Sequence, residues 1–161
     1  MRRLNADEQR FLSAYFGEAL DLDPIRLGTS IGRRSWSPYG ARISLVRGLY
    51  READPDASVD LARPASAAVF AHEAIHVWQR QRGRAVTRQG AVLQTLYILG
   101  LRDPYAYRAR ADARCQLVEF ALGNIEQQGR MFQDYVFAEL TGGPVQQFSK
   151  IASWVRLSAP K

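Results

Sequence analysis

The sequence predicts an α+β fold. Three observations predict it. Apolar residues recur at helical spacing over several long stretches, a Gly- and Pro-punctuated stretch from Ile25 to Tyr50 alternates as strands do, and His72-Glu73-Ala74-Ile75-His76 falls inside one of the helical stretches. With 161 residues, 47% of them hydrophobic and 24% charged, the chain suits a single domain over 1–161.

The first helix spans Asn5 to Leu20. Asn5 can cap it with Glu8 three residues on, and Phe11, Leu12, Tyr15, Phe16 and Ala19 form its apolar face. Asp21-Leu22-Asp23-Pro24 ends it. The pairs Ile25, Leu27 and Ile43, Leu45 then predict a small antiparallel sheet, with Trp36-Ser37-Pro38-Tyr39-Gly40 as the turn between two strands. Arg51 to Pro64, with three aspartates and two prolines, reads as a surface loop leading into a helix.

From Pro64 to Gly100 the chain reads as helical, with Ser66 as a cap, Gly83 as a stop and a second helix from about Gln89 to Leu99. Tyr105-Ala106-Tyr107 looks extended, and the Arg- and Ala-rich segment after it is ambiguous. A further helix covers Asn124 to Leu140. Thr141-Gly142-Gly143-Pro144 breaks it, leaving 142–161 as a short tail.

Composition excludes several classes. The longest nearly apolar stretch, Ala91 to Leu101, is broken by Gln94 and Thr95 and is far short of the ~20 residues a spanning helix needs, so membrane insertion is not expected. The N-terminal MRRLNADEQRFL lacks the apolar core of a secretory signal, which predicts a cytoplasmic protein or one exported by a non-Sec route. Cys115 is the single cysteine, cannot form an internal disulfide, and reads as a small buried hydrophobe. The net charge of +6 invites a nucleic-acid reading, but the arginines are scattered apart from Arg80, Arg82, Arg84 and Arg88, and no nucleic-acid-binding motif accompanies them.

The chemistry is concentrated at His72, Glu73 and His76. Residues four apart lie one turn above each other on a helix face, so His72 and His76 can place ring nitrogens on one Zn2+. Glu73 then stands beside the metal without ligating it, where it can act as general base toward water. The chain has only two histidines, and both are used here. Shuffling the composition would produce the pattern about once in two thousand sequences, so chance is a poor explanation. An ordinary amphipathic helix with Val69, Phe70, Val77 and Trp78 as core contacts is the alternative.

The segment AHEAIHVWQRQRG resembles the HE-L/M-T-HVWQ-x-Q-x-G helix of a bacterial zincin-like group often labelled vgr-related proteins, found near type VI secretion genes. PYAY and GNIEQQGRMFQDY are similar to that group's YAY and Y-N-I-E-Q-Q-x-x-I-x-x-D-Y segments, so the resemblance spans most of residues 4 to 140. Ala74-Ile75 departs from Leu/Met-Thr, and Gly123 stands in place of Tyr. The resemblance implies a zincin-like fold with an N-terminal helix, a small sheet, the HExxH helix and further C-terminal helices. It also implies a third zinc ligand on a later helix, where Glu126 fits the family segment. Asp112 and Glu119 compete for that role.

Other assignments follow from position. Asp134, two turns beyond Glu126, could hold a histidine N–H, while Tyr105, Tyr107 and Tyr135 are candidate donors to an oxyanion. Arg130 could orient Glu126. The strand in GARISLVRGLY could offer its edge, around Ser44, to an extended peptide. These readings converge on a zinc-dependent metallopeptidase carrying one Zn2+ per chain, acting on a peptide or protein. The alternative is a zincin-fold accessory protein of a bacterial secretion system, without turnover, whose partners are components of that system.

Overall fold

The computed structural model describes residues 1–32, 34–51 and 58–158. Helix α1 (Ala6–Phe16) starts with a reciprocal cap: the Asn5 side chain accepts from the Glu8 amide at 2.9 Å, and the Glu8 carboxylate accepts from the Asn5 amide at 3.0 Å. A 3-10 turn, Gly17–Ala19, replaces the last turn expected before Leu20, because Gly17 at φ +58° leaves the helical region.

The sheet is mixed, not antiparallel as expected. It has three strands in the order β1 (Arg2–Arg3), β2 (Arg26–Thr29), β3 (Arg42–Leu45). β1 runs antiparallel to β2 with Arg2 opposite Leu27, and β2 runs parallel to β3 with Leu27 opposite Ile43. The Trp36–Gly40 turn does reverse the chain, and Trp36 forms an antiparallel bridge to Ser44. Trp36 lies along one edge of β3 and β2 along the other, so the turn places Trp36 rather than β2 antiparallel to β3.

Helix α2 (Pro64–Gln81) is the centre of the structure. Pro64 occupies its first turn, where a missing N–H leaves no bond unmade. Ser66 is therefore inside the helix rather than at its cap, and its hydroxyl accepts from Arg63 Nε at 2.6 Å. From Ser66 to Gln79 nearly every residue is buried, polar ones included. Burial all round marks a helix enclosed by others. Gly83, at φ +76°, closes the end as expected. Residues 52–57 of the acidic loop before α2 lie outside the described residues.

Helix α3 (Val86–Ile98) begins three residues earlier than expected, and the ambiguous segment forms helix α4 (Ala113–Leu122), capped by Asp112. Helix α5 (Ile125–Thr141) is capped by Asn124 and Gln127 in the same reciprocal manner as α1, and it is the principal neighbour of α2. The final stretch is not a tail. Helix α6 (Ser149–Leu157) follows a 3-10 turn and buries Ile151, Ala152 and Val155 in the main core with Phe16, Phe70, Trp78, Phe120 and Phe132. A smaller cluster, Val86, Leu93 and Ile125, joins α3 to the start of α5. Cys115 is exposed on α4, contrary to the buried role expected of it. Among the described residues, no helix is long and apolar enough to cross a membrane.

Candidate metal centre

Two helices build the site. α2 presents His72 and His76 one turn apart, with ring centroids 5.0 Å apart and planes at 81°. α5 presents Glu126 from its first turn, because Asn124 Oδ1 accepts from the amides of Glu126 and Gln127 at 2.9 Å and fixes where the helix starts. Glu126 Oε2 lies 3.4 Å from His72 Nε2 and 3.5 Å from His76 Nε2.

These three side chains can hold a metal ion. All are buried, and one atom of each lies within 4.8 Å of the others. The two His–Glu spacings exceed an ordinary N–H···O bond and are close to the edge of a tetrahedron of ligands ~2.0–2.1 Å from zinc, about 3.4 Å. Two imidazoles and a carboxylate are also a donor set that zinc accepts. Asp112 and Glu119, the competing ligands, are engaged elsewhere: Asp112 caps α4, and Glu119 pairs with Arg110.

Glu73 is 5% exposed, and its Oε2 has no hydrogen-bond partner among the described residues. Burial pushes its carboxyl above the usual range, and the neighbouring His72 and His76 only partly offset this. Burial pushes Glu126 in the same direction, but the adjacent His72 and His76 rings outweigh it and hold the group far below the usual carboxylate range. For His76 burial acts downward, and Glu126 outweighs it, raising the ring. Two carboxyls in one site are thus driven in opposite directions.

Tyr105 is the tyrosine that reaches the site. Its ring lies 6.3 Å from that of His72, and its hydroxyl accepts from Gln94 Nε2 at 2.7 Å, which leaves its own proton without an acceptor among the described residues. Burial, helped by Glu126, raises its pKa and keeps it neutral. Tyr107 instead donates to Asp134 at 2.7 Å, and Arg130 pairs with Asp134 at 3.0 Å. Asp134 therefore serves Tyr107 and Arg130 rather than a histidine, and Arg130 does not orient Glu126. Tyr135 packs among Tyr15, Phe132 and Phe148 in the core. The edge of β3 is filled at Ser44, whose amide and carbonyl both bond to Trp36 at 2.9 Å.

A cleft of about 850 Å³ opens over the site, floored by His72, Glu73, His76 and Glu126 and walled by Trp36, Tyr105 and the α3 residues Val86, Gly90 and Ala91. Three positions near its floor escaped sequence reasoning. Gln79 Oε1 lies 2.9 Å from His76 Nδ1, Gln128 bonds Gln79, and Gly129 lies against His72. Gln79 carried a signal, being a polar residue three positions after His76 on the same helix face. Gln128 carried only its place in the N-I-E-Q-Q segment of the resemblance and Gly129 carried none, since only the α2–α5 packing brings them near.

Comparison with known proteins finds a partial similarity. The chain is 38% identical over 84 residues to the type VI secretion system spike protein VgrG2b of Pseudomonas aeruginosa, covering 52% of this chain. It spans only 8% of that protein's length. No protein-family model matches the chain, and no solved structure matches it.

Proposed function

We propose that this chain is a zinc-dependent hydrolase, a zincin-like metallopeptidase of the glutamate-zincin type, with His72, His76 and Glu126 holding one Zn2+ and Glu73 as general base. The observation that carries the proposal is the approach of two imidazole nitrogens to one Glu126 oxygen at 3.4 and 3.5 Å, beside a buried Glu73 whose Oε2 has no hydrogen-bond partner among the described residues. When bound, zinc supplies a Lewis acid that polarises a carbonyl and acidifies water. Glu73 takes a proton from the attacking water as it adds to the scissile carbonyl, then delivers that proton to the departing amine nitrogen. The Tyr105 hydroxyl, with Gln94 donating to its oxygen, offers its proton to the developing oxyanion. The open cleft admits a peptide or protein segment.

Similarity to a type VI secretion spike protein supports an association of this chain with such a system, and components of it as partners. The same observation favours the second reading, an accessory protein without turnover. Glu73 speaks against that reading, because a purely structural metal needs no buried base beside it. The deciding experiment is a peptide-library digest by the zinc-loaded parent and by Glu73→Gln. Retained zinc with lost cleavage in the variant is the expected result. Equal cleavage by both proteins would exclude Glu73 as the base, and no cleavage by the parent would favour the accessory reading.

A further inference from the structure

We infer that Gln79 and Gln128 form a neutral amide relay that fixes His76 with its proton on Nδ1 and leaves Nε2 bare toward Glu126. The inference rests on the metal-site reading above and extends it to residues outside the ligand set.

The argument begins at two backbone carbonyls, which can only accept. Gln79 has a nitrogen 3.2 Å from the carbonyl oxygen of Ile125, so that end of its amide must be the NH2 group. Gln128 has a nitrogen 2.8 Å from the carbonyl oxygen of Phe120, which orients its amide in the same way. Gln128 Oε1 is then the acceptor that meets Gln79 Nε2 at 2.8 Å and Arg84 at 2.6 Å, and a guanidinium can only donate. With both amides oriented, Gln79 Oε1 must be the atom 2.9 Å from His76 Nδ1, and a carbonyl oxygen there requires N–H on the ring. In a neutral imidazole the lone pair is then on Nε2, the nitrogen that faces Glu126.

The relay is almost completely enclosed, with Gln79 at 0% and Gln128 at 1% exposure, so water does not compete for its bonds. It is also uncharged. A carboxylate at position 79 would add a third negative group to a pocket that already holds Glu73 and Glu126, whereas an amide orients the ring without that repulsion. His72 is held differently. Its Nδ1 is buried without a hydrogen-bond partner among the described residues, and its ring is confined by the backbone at Gly129. One histidine is thus set by hydrogen bonding and the other by packing, which makes Gln79 and Gln128 positioning residues for His76 specifically.

The test is imidazole 15N NMR on the full, metal-free chain, read at the high-pH plateau of a pH series, with the two histidines assigned through a His72→Asn variant. The parent is expected to show His76 as the Nδ1–H tautomer, Gln79→Leu to lose that preference, and Gln79→Glu, which keeps an acceptor, to retain it. Zinc affinity by chelator competition should fall about 10- to 100-fold in Gln79→Leu. An Nε2–H tautomer in the parent, or an unchanged tautomer and affinity in a folded Gln79→Leu, overturns the inference. If Gln79→Leu does not fold, the parent spectrum still decides. The NMR uses neither zinc nor substrate, so a parent that binds no zinc refutes the metallopeptidase reading alone, while a zinc-binding parent with the wrong tautomer refutes the relay alone.

Discussion

The ring of His72 lies so close to the backbone of Gly129 that a Cβ at position 129 would stand 2.8 Å from His72 Cε1 and 2.9 Å from Nε2. Glycine inside a helix ordinarily weakens it by roughly 0.5–1 kcal/mol relative to alanine, so Gly129→Ala would stabilise α5 if propensity alone decided. The contact reverses the sign. Gly129→Ala is expected to lower stability by about 1–3 kcal/mol through overpacking and to weaken zinc binding by tilting the His72 ring. Denaturant unfolding and chelator competition measure the two effects, and a more stable variant with unchanged zinc affinity would refute this account.

Glu126 joins the two helices at the site, and its removal separates ligation from folding. In Glu126→Ala the zinc content of purified protein should drop from one per chain to a small fraction of that, measured by mass spectrometry. The main core is an extensive set of apolar side chains, Phe16, Phe70, Trp78, Phe120 and Phe132 among them, so the metal-free chain should remain folded. A chelator should accordingly lower the Tm of the parent, by the stabilisation that zinc gives through mass action, ~2.7 kcal/mol at a hundredfold excess over Kd. It should leave the helical signal at room temperature intact. Loss of helix on chelation would mean that the metal is structural.

The local features were legible in the sequence, and the long-range ones were not. Asn5 with Glu8, and Asn124 at the start of α5, cap helices through contacts within three residues, so their spacing alone reveals them. His72, Glu73 and His76 are legible for the same reason. The parallel pairing of β2 with β3 was hidden, because Trp36 rather than β2 takes the antiparallel place beside β3, which no alternation pattern reports. Asp134 and Arg130 stand one helical turn apart and satisfy each other, so their spacing from Glu126 was misleading. The expectation for Cys115 rests on a statistical tendency of cysteines toward burial, which this residue on the exposed face of α4 does not obey.

Residues after Gly143 give a further test of the fold. Ile151 has no exposed surface and packs in the main core, although its segment follows a Thr-Gly-Gly-Pro break that suggests a dispensable end. Ile151→Ala should cost about 2–5 kcal/mol, the range for removing a buried aliphatic side chain. The exposed Leu157→Ala is the control and should change stability by less than about 0.5 kcal/mol. Equal effects in thermal unfolding would show that α6 does not belong to the cooperative core.

Glu8 supplies a pH-dependent prediction away from the metal site. It is fully buried, and its carboxylate accepts from Arg2 at 2.7 and 2.6 Å, from the Asn5 amide at 3.0 Å and from the Val59 amide at 3.0 Å. Burial acts to raise its pKa, but these bonds together outweigh it and hold the group below its ordinary value of 4.5. A carboxyl whose folded pKa is depressed adds stability above its unfolded pKa and loses it as pH falls through the folded one. Glu8→Gln keeps the shape but removes the charge, and at neutral pH it should destabilise the fold by about 2–4 kcal/mol. The gap between parent and variant should hold steady from neutral pH down to about 4.5 and then shrink as Glu8 takes up its proton in the parent. Chemical denaturation across that range measures the gap. A gap that widened on acidification would mean that the Glu8 carboxyl is raised rather than lowered, and that burial, not Arg2 and the two amides, controls it.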